Sequence, residues 1–178
     1  MSDDFQPGSF EYIEQQLHSL DDQAKGEAFE ELCCEFLQHD PVYRHQVKKV
    51  WLWNDWPGRW GRDMGIDIIV ETHSGERWAV QAKAFRADRT VSKREIDSFL
   101  SESSRPEITF RLLIATTNDL GHNARQTLQG QEKPVAFILR GDLANSEIKW
   151  PTKLGKLPAK LPRYKPRPHQ KDPHFLQD

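Results

Sequence analysis

The sequence predicts an α/β fold in which a mixed β-sheet lies between helices on its two faces. The predicted elements follow one another as helix, three strands, helix, strand, helix and strand, after a short leading helix. Strands joined by a tight turn favour antiparallel pairing, whereas strands joined through a helix favour parallel pairing. The order therefore predicts both kinds of pairing in one sheet. A length of 178 residues suits one domain with extensions at its ends.

Two helices are expected before the first strand, at residues 9–20 and 24–38. The second has an apolar stripe with the i, i+3, i+4, i+7 spacing of an amphipathic helix, formed by Phe29, Leu32, Cys33 and Phe36. At about 100° per residue, three glutamates should point away from this stripe: Glu27, Glu31 and Glu35. Glu30 lies at the margin of the stripe and is the one of the four that can reach over the sheet.

The remaining elements are read from strand-like alternation, apolar runs and turn residues. Residues 46–53 form the first predicted strand, and residues 66–71 and 76–85 form a hairpin around the turn at 72–75. A helix at 92–103, a strand at 110–117, a helix at about 121–130 and a strand at 134–140 complete the order. The continuous apolar run of the strand at 110–117 predicts burial on both of its faces.

The hairpin contains polar side chains where buried, apolar ones are expected. Alternate residues of a strand share a face, so Asp67 should lie on one side of its strand, and Gln81 and Lys83 on one side of the partner strand. If the two sides coincide, these three side chains converge among apolar neighbours. Burying an unpaired carboxylate or ammonium is costly, so a structural Asp67–Lys83 ion pair and a strand edge open to solvent are alternatives. With Glu30 above them, the carboxylates would instead suit a hard divalent cation.

Composition and charge exclude several classes of protein. No apolar run approaches the roughly 20 residues that span a bilayer, which argues against a membrane protein. The acidic N-terminus, MSDDFQPGSF, does not resemble a signal peptide, and the adjacent Cys33 and Cys34 have neither disulfide-framework nor metal-site spacing. We therefore expect a cytoplasmic protein. The net charge of −2 hides a basic, proline-rich end, which is either a solvated linker or a nucleic-acid contact.

At these residues the chain resembles a known family of nucleases. The motifs on which the resemblance rests are FE at 29–30, DPVY at 40–43, VWLWNDWP at 50–57, GRDMGID at 61–67, QAK at 81–83 and IDSFL at 96–100. They resemble the PD-(D/E)XK superfamily, in its Mrr-like branch, where glutamine replaces the middle acid. The likeness is greatest to the nuclease domain of single-chain, type ISP-like restriction-modification enzymes with a fused helicase. It covers roughly residues 24–150.

The resemblance implies a restriction-endonuclease-like αβββαβ sandwich and a Mg²⁺-dependent DNA endonuclease of a restriction system, in which Mn²⁺ can substitute. Asp67, Gln81 and Glu30 are then the implied metal ligands, and Lys83 the residue that orients water and stabilises the transition state. Because Gln81 removes one negative charge from the acidic form of the motif, the alternative is a DNA-binding or assembly module that cleaves little alone. The implied partners are double-stranded DNA and a helicase or translocase and a methyltransferase, as domains or subunits.

The same resemblance divides the chain. Residues 1–23 are an N-terminal extension, 24–150 the nuclease domain, and 151–178 a basic, proline-rich linker. Within the linker, YKPRPHQ at 164–170 resembles the entry of a superfamily-two helicase. No ATPase core follows it in this sequence.

Other residues are weaker candidates for the same site. Asp63 could replace Asp67 as the key acid, and Glu71 is more typical of a rim carboxylate. His73 and His122 are isolated, as surface histidines commonly are. The tryptophans at 51, 53 and 56 favour a core position over a stacking surface for bases. Lys93 and Arg94 begin a helix where either a phosphate or solvent could lie.

Overall fold

The strands of the described chain form one mixed sheet. The computed structural model describes residues 5–61, 65–86 and 89–154. Its strands are β1 (Val47–Leu52), β2 (Ile68–Thr72), β3 (Arg77–Lys83), β4 (Phe110–Ala115) and β5 (Val135–Ile138), in the spatial order β1-β2-β3-β4-β5. The first three strands pair antiparallel, and β4 and β5 continue the sheet in parallel with β3. The prediction of a mixed sheet is confirmed.

The helices are α1 (Phe10–His18), α2 (Asp22–His39), α3 (Lys93–Glu102), α4 (His122–Gln129) and α5 (Arg140–Asn145). Side chains that accept backbone N–H groups fix where the first three begin: Ser9 caps α1, Asp21 caps α2 and Ser92 caps α3. The sequence predicts a strand over residues 134–140 and does not predict α5. The strand ends at Ile138, because Asp142 accepts the backbone N–H of Leu139 at 2.9 Å and turns the chain into α5.

The hairpin of β2 and β3 is confirmed, with Ile69 opposite Ala79. Its turn needs glycine, because Gly75 has a φ of +86°. The hydroxyl of Thr72 accepts the backbone N–H of Glu76 at 2.9 Å and closes the turn.

Apolar clusters cover both faces of the sheet. On one face α2 contributes Phe29 and Leu32 to a core that also contains Ile68, Val80 and Leu112, and α1 adds Phe10, Ile13 and Leu17. On the other face Leu113 and Ala115 of β4 pack with Ile96 of α3 and Ala124 and Leu128 of α4. Since successive residues of β4 enter opposite cores, the predicted burial of this strand on both faces is confirmed.

The second half of α2 buries more side chains than its apolar stripe predicts. Glu35, expected to point away from the stripe, is buried with 3% of its surface exposed, because α2 contacts α1 as well as the sheet. The imidazole of His39, one turn further along the helix, lies 3.8 Å from the carboxylate of Glu35. Within the described ranges, no helix combines the length and the apolar composition needed to cross a membrane.

Candidate active site

Asp67 immediately precedes β2, across from Gln81 of β3. Since Ile69 is opposite Ala79 in an antiparallel ladder, the position two residues before Ile69 faces the position two residues after Ala79. The backbone N–H of Asp67 donates to the carbonyl of Val80 at 2.9 Å and extends the ladder. The register thus brings together Asp67 and Gln81, as the sequence predicted.

The carboxylate of Asp67 is held by the backbone and by Glu30 of α2. Its Oδ2 accepts the backbone N–H of Ala82 at 2.8 Å. A hydrogen bond also joins the carboxyl groups of Glu30 and Asp67, and such a bond needs a proton on one of them. Burial, together with the charge and the hydrogen bond of Asp67, raises the pKa of Glu30 from 4.5 to about 8. At neutral pH, without a cation, the proton therefore resides on Glu30.

Asp67 is also perturbed, in a way that leaves it the charged member of the pair. Burial raises the pKa of Asp67, but its bonds from Ala82 and Glu30 and the nearby charge of Lys83 act in the opposite direction. The salt bridges of the described residues do not include one between Asp67 and Lys83. Lys83 thus lies within electrostatic reach of Asp67, and the alternative of a direct structural ion pair is not what the structure contains.

Gln81 presents an unusual buried amide. Its side chain is 3% exposed, and its Nε2 donates to the backbone carbonyl of Gly65 at 3.1 Å. Its Oε1 is buried without a hydrogen-bond partner. A buried acceptor left without a partner costs roughly 1–3 kcal/mol, so this oxygen is a group that a bound cation would satisfy.

A cavity of about 410 Å³ opens beside Glu30 and Asp67, between α2, the segment after β1 and residues 65–67, and its described lining does not include Gln81. Its walls carry five carboxylates, Glu27, Glu30, Glu31, Asp55 and Asp67, and no lysine or arginine is among its described lining residues. So much negative charge in a partly enclosed space attracts cations and repels a nucleic-acid phosphate.

The Mg²⁺ that the resemblance implies fits this donor set. Hard divalent cations take carboxylate and amide oxygens, and Glu30, Asp67 and the Oε1 of Gln81 are of these kinds. Among the described residues, no three His, Cys, Asp or Glu side chains converge as a metal-binding group.

The structure places most of the weaker candidates away from the site. Trp51, Trp53 and Trp56 are 0%, 3% and 2% exposed and belong to one apolar cluster, so the expectation of a core position is confirmed. His73 and His122 are exposed. Asp63 lies outside the described residues, as do YKPRPHQ at 164–170 and the rest of the linker beyond residue 154.

Glu71 and the beginning of α3 are also accounted for by local contacts. Glu71 lies on β2 between Lys49 of β1 and Arg77 of β3, opposite charges that favour a structural position. At the start of α3, Ser92 and Glu95 form a capping box, and Lys93 pairs with Asp97 at 2.7 Å. The first turn of this helix is thus satisfied by its own side chains.

Three contributors to the site were missed from the sequence. The carbonyl of Gly65 and the backbone N–H of Ala82 orient Gln81 and Asp67, and no side-chain pattern reveals a backbone contact. Asp55 reaches the cavity wall because a short 3-10 turn, Trp53–Asp55, follows β1. The glycine two residues before Asp67 was the one available signal, since glycine commonly marks a close backbone approach.

Comparison with known proteins identifies the family of the chain. A family model described as restriction endonuclease matches residues 38–157, a range that contains Asp67, Gln81 and Lys83 and begins after Glu30. No curated protein matches the chain.

Two solved structures resemble the fold. The ATP-dependent type ISP restriction-modification enzyme LlaBIII, bound to DNA, superposes with a TM-score of 0.68 at 29% identity, over 86% of this chain and 10% of that one. The DNA modification-dependent restriction endonuclease AspBHI superposes with a TM-score of 0.51 at 20% identity, over 75% of this chain and 32% of that one. The fold is therefore that of restriction endonucleases, and the chain spans a tenth of the length of the type ISP enzyme.

Proposed function

Because the chain belongs to the restriction endonuclease family, we propose that it is a Mg²⁺-dependent endonuclease that hydrolyses phosphodiester bonds in double-stranded DNA. One observation carries the proposal: the hydrogen-bonded carboxyls of Glu30 and Asp67 lie beside an acidic cavity, across from a buried amide oxygen without a partner. A dry group of oxygen donors next to an open cavity suits a cation that must also contact a substrate phosphate.

Four side chains share the work in this proposal. Asp67, Glu30 and the Oε1 of Gln81 hold the cation, and Mn²⁺ can replace Mg²⁺ in the same oxygen set. Bound there, the ion supplies Lewis acidity and neutralises charge on the phosphate. Lys83, which no ion pair with Asp67 occupies, orients the attacking water through its Nζ and stabilises the negative charge that develops at phosphorus. With a cation held there, Glu30 would be a carboxylate ligand, and its proton would pass to solvent.

Nicking of supercoiled plasmid tests the proposal, with Mg²⁺ or Mn²⁺ and with EDTA as the blank. We expect cleavage by the wild type and a loss of about 10²-fold or more for Lys83→Ala, since it removes charge stabilisation in the transition state. Asp67→Ala should lose cleavage and metal binding together. Lys93→Ala is the matched control, because Lys93 is an exposed lysine paired with Asp97 on α3.

The outcomes separate the assignments clearly. If folded Lys83→Ala and Asp67→Ala cut as well as the wild type, the activity does not come from this site. If Lys93→Ala loses as much activity as Lys83→Ala, a general charge effect replaces the specific role of Lys83.

A second candidate function is a DNA-binding or assembly module that cleaves little alone. The wall of five carboxylates favours it, since without a loading partner such a cavity repels the DNA backbone. Binding of a fluorescent duplex in Ca²⁺, beside cleavage in Mg²⁺, distinguishes the two. Retained binding without cleavage at any Mn²⁺ concentration would support this second candidate.

The proposed setting is a restriction system in the cytoplasm. Helicase or translocase and methyltransferase functions, as further domains or subunits, are the partners we propose. The support is the similarity to a type ISP restriction-modification enzyme of which this chain spans 10%. Addition of a candidate translocase subunit should raise the rate of nicking if loading on DNA limits the isolated chain.

A further inference from the structure

We propose that Gly65 is a positioning residue, whose backbone carbonyl fixes the amide of Gln81 so that Oε1 stays free for the cation. The inference rests on the proposed function and adds to it a residue with no side chain of its own. It also predicts which residue type position 81 accepts.

The first step is the orientation of the amide. A side-chain amide has a donating end and an accepting end, and the carbonyl of Gly65 can only accept. Nε2 of Gln81 therefore faces Gly65, at 3.1 Å, and a flipped amide would place two acceptor oxygens against each other. The same bond leaves Oε1 buried without a partner. The orientation of Gln81 is thus set by Gly65 rather than by the cation.

The second step is why a glycine stands at position 65. Its φ is +72°, a left-handed conformation that other residues adopt with strain. A Cβ there would lie 3.0 Å from Oγ of Ser98 and 3.5 Å from the backbone nitrogen of Phe99, both on α3. Conformation and packing against α3 together determine where the Gly65 carbonyl points, and any larger residue must move it.

The third step concerns the identity of residue 81. A glutamate at this position has no N–H to donate, so its carboxylate would meet the Gly65 carbonyl as one acceptor against another. It would also add a negative charge beside the carboxyl pair of Glu30 and Asp67. Gln81→Glu restores the acidic form of the motif, yet we expect it to bind Mn²⁺ about 10-fold more weakly than the wild type.

Gly65→Ala is the main test, with Gly75→Ala as its matched control. Gly75 has a similar φ of +86° but nothing within 4 Å of an added Cβ, in the turn at the far end of the same hairpin. Both variants introduce left-handed strain, and only Gly65→Ala displaces the carbonyl that holds Gln81. Two readouts are measured on the full chain: Mn²⁺ affinity by calorimetry, and the ¹⁵N NMR signal of the Gln81 side-chain amide without metal.

We expect Gly65→Ala to bind Mn²⁺ about 10-fold or more weakly and to shift the Gln81 amide signal. Gly75→Ala should lose similar thermal stability while both readouts stay as in the wild type. Adding Ser98→Ala to Gly65→Ala removes the 3.0 Å contact and should recover part of the affinity. This recovery would not follow from a loss of stability alone.

The inference is overturned if folded Gly65→Ala keeps the wild-type affinity and an unmoved Gln81 signal, or if Gln81→Glu binds Mn²⁺ more tightly. If Gly65→Ala does not fold, the affinity of Gln81→Glu for Mn²⁺ tests the inference instead. Failure of the proposed function has a different signature, because the wild type itself then neither binds Mn²⁺ nor cuts DNA. A wild type that binds and cuts, beside an unaffected Gly65→Ala, refutes only the role of Gly65.

Discussion

Replacing Glu30 by glutamine should stabilise the cation-free protein and abolish cleavage at the same time. Glu30 and Asp67 are carboxyl groups in direct contact, and burial adds to their repulsion when both are ionised. Glutamine is neutral at every pH, and its amide can donate to Asp67 as the protonated Glu30 does. Glu30→Gln therefore removes the repulsion between two carboxylates. Two adjacent negative charges favour the binding of a cation, but they destabilise the folded protein.

The size and the sign of this change in stability follow from the pKa of Glu30, which is raised from 4.5 to about 8. Between these values the folded state binds more protons than the unfolded state, so stability falls as pH rises through this window. Taken whole, such a shift corresponds to about 5 kcal/mol. Glu30 is only half-buried at the cavity wall. Solvent screening therefore reduces the contribution of Glu30 to stability to about 1–2 kcal/mol. The variant should thus gain about 1–2 kcal/mol over the wild type near pH 8.5 and almost nothing near pH 4.5.

Urea unfolding in EDTA, at several pH values across this window, measures the effect. Glu27→Gln is the matched control, since Glu27 lines the same cavity, is exposed, and contacts Gln23 rather than Asp67. It should change stability by less than about 0.5 kcal/mol. Saturating Mg²⁺ should reverse the order, stabilising the wild type more than Glu30→Gln. A Glu30→Gln protein that is no more stable than the wild type near pH 8.5 would refute the like-charge contact.

Two further variants test how the fold holds the site. Thr116→Val should cost about 2–3 kcal/mol in urea unfolding. The buried hydroxyl of Thr116 accepts the backbone N–H of Phe85 at 2.6 Å and donates to the carbonyl of the same residue, just beyond β3. A cost as small as that of the exposed Thr109→Val would contradict this. Arg140→Ala should cost about 1–3 kcal/mol, because its guanidinium forms a two-pronged contact with the buried carboxylate of Glu14 at 2.8–3.1 Å and joins α5 to α1. Arg140→Lys should recover less than half of that loss, and full recovery would show that charge alone suffices.

The parts of the fold that the sequence predicted are those with a strong local period. Alternation and a turn containing glycine indicated the hairpin of β2 and β3, and an uninterrupted apolar run indicated a β4 buried on both faces. The boundary between β5 and α5 was missed, because PVAFILR is an apolar run without a visible stop. The stop comes from the side chain of Asp142 capping Leu139, a contact that the residue type permits but does not require.

The candidate site also has parts that the sequence predicts and parts that it does not. Strand alternation and helix spacing were enough to expect Asp67, Gln81 and Glu30 near one another, because these periods fix the faces of regular elements. The contacts that orient them were beyond such reasoning. The carbonyl of Gly65 and the N–H of Ala82 belong to the backbone, and their directions depend on the packing of α3 and on the register of β3.

The neutral residue at position 81 also balances the charge of the site. In the proposed metal site, the ionised carboxylates of Glu30 and Asp67 would carry the two negative charges that one divalent cation cancels. A third acid at position 81 would leave an excess negative charge there, at a high cost in desolvation. It would also draw on the positive charge of Lys83, which is otherwise available to the phosphate. Under the proposed function, an uncharged Gln81 held by Gly65 would therefore leave Lys83 available to the substrate phosphate.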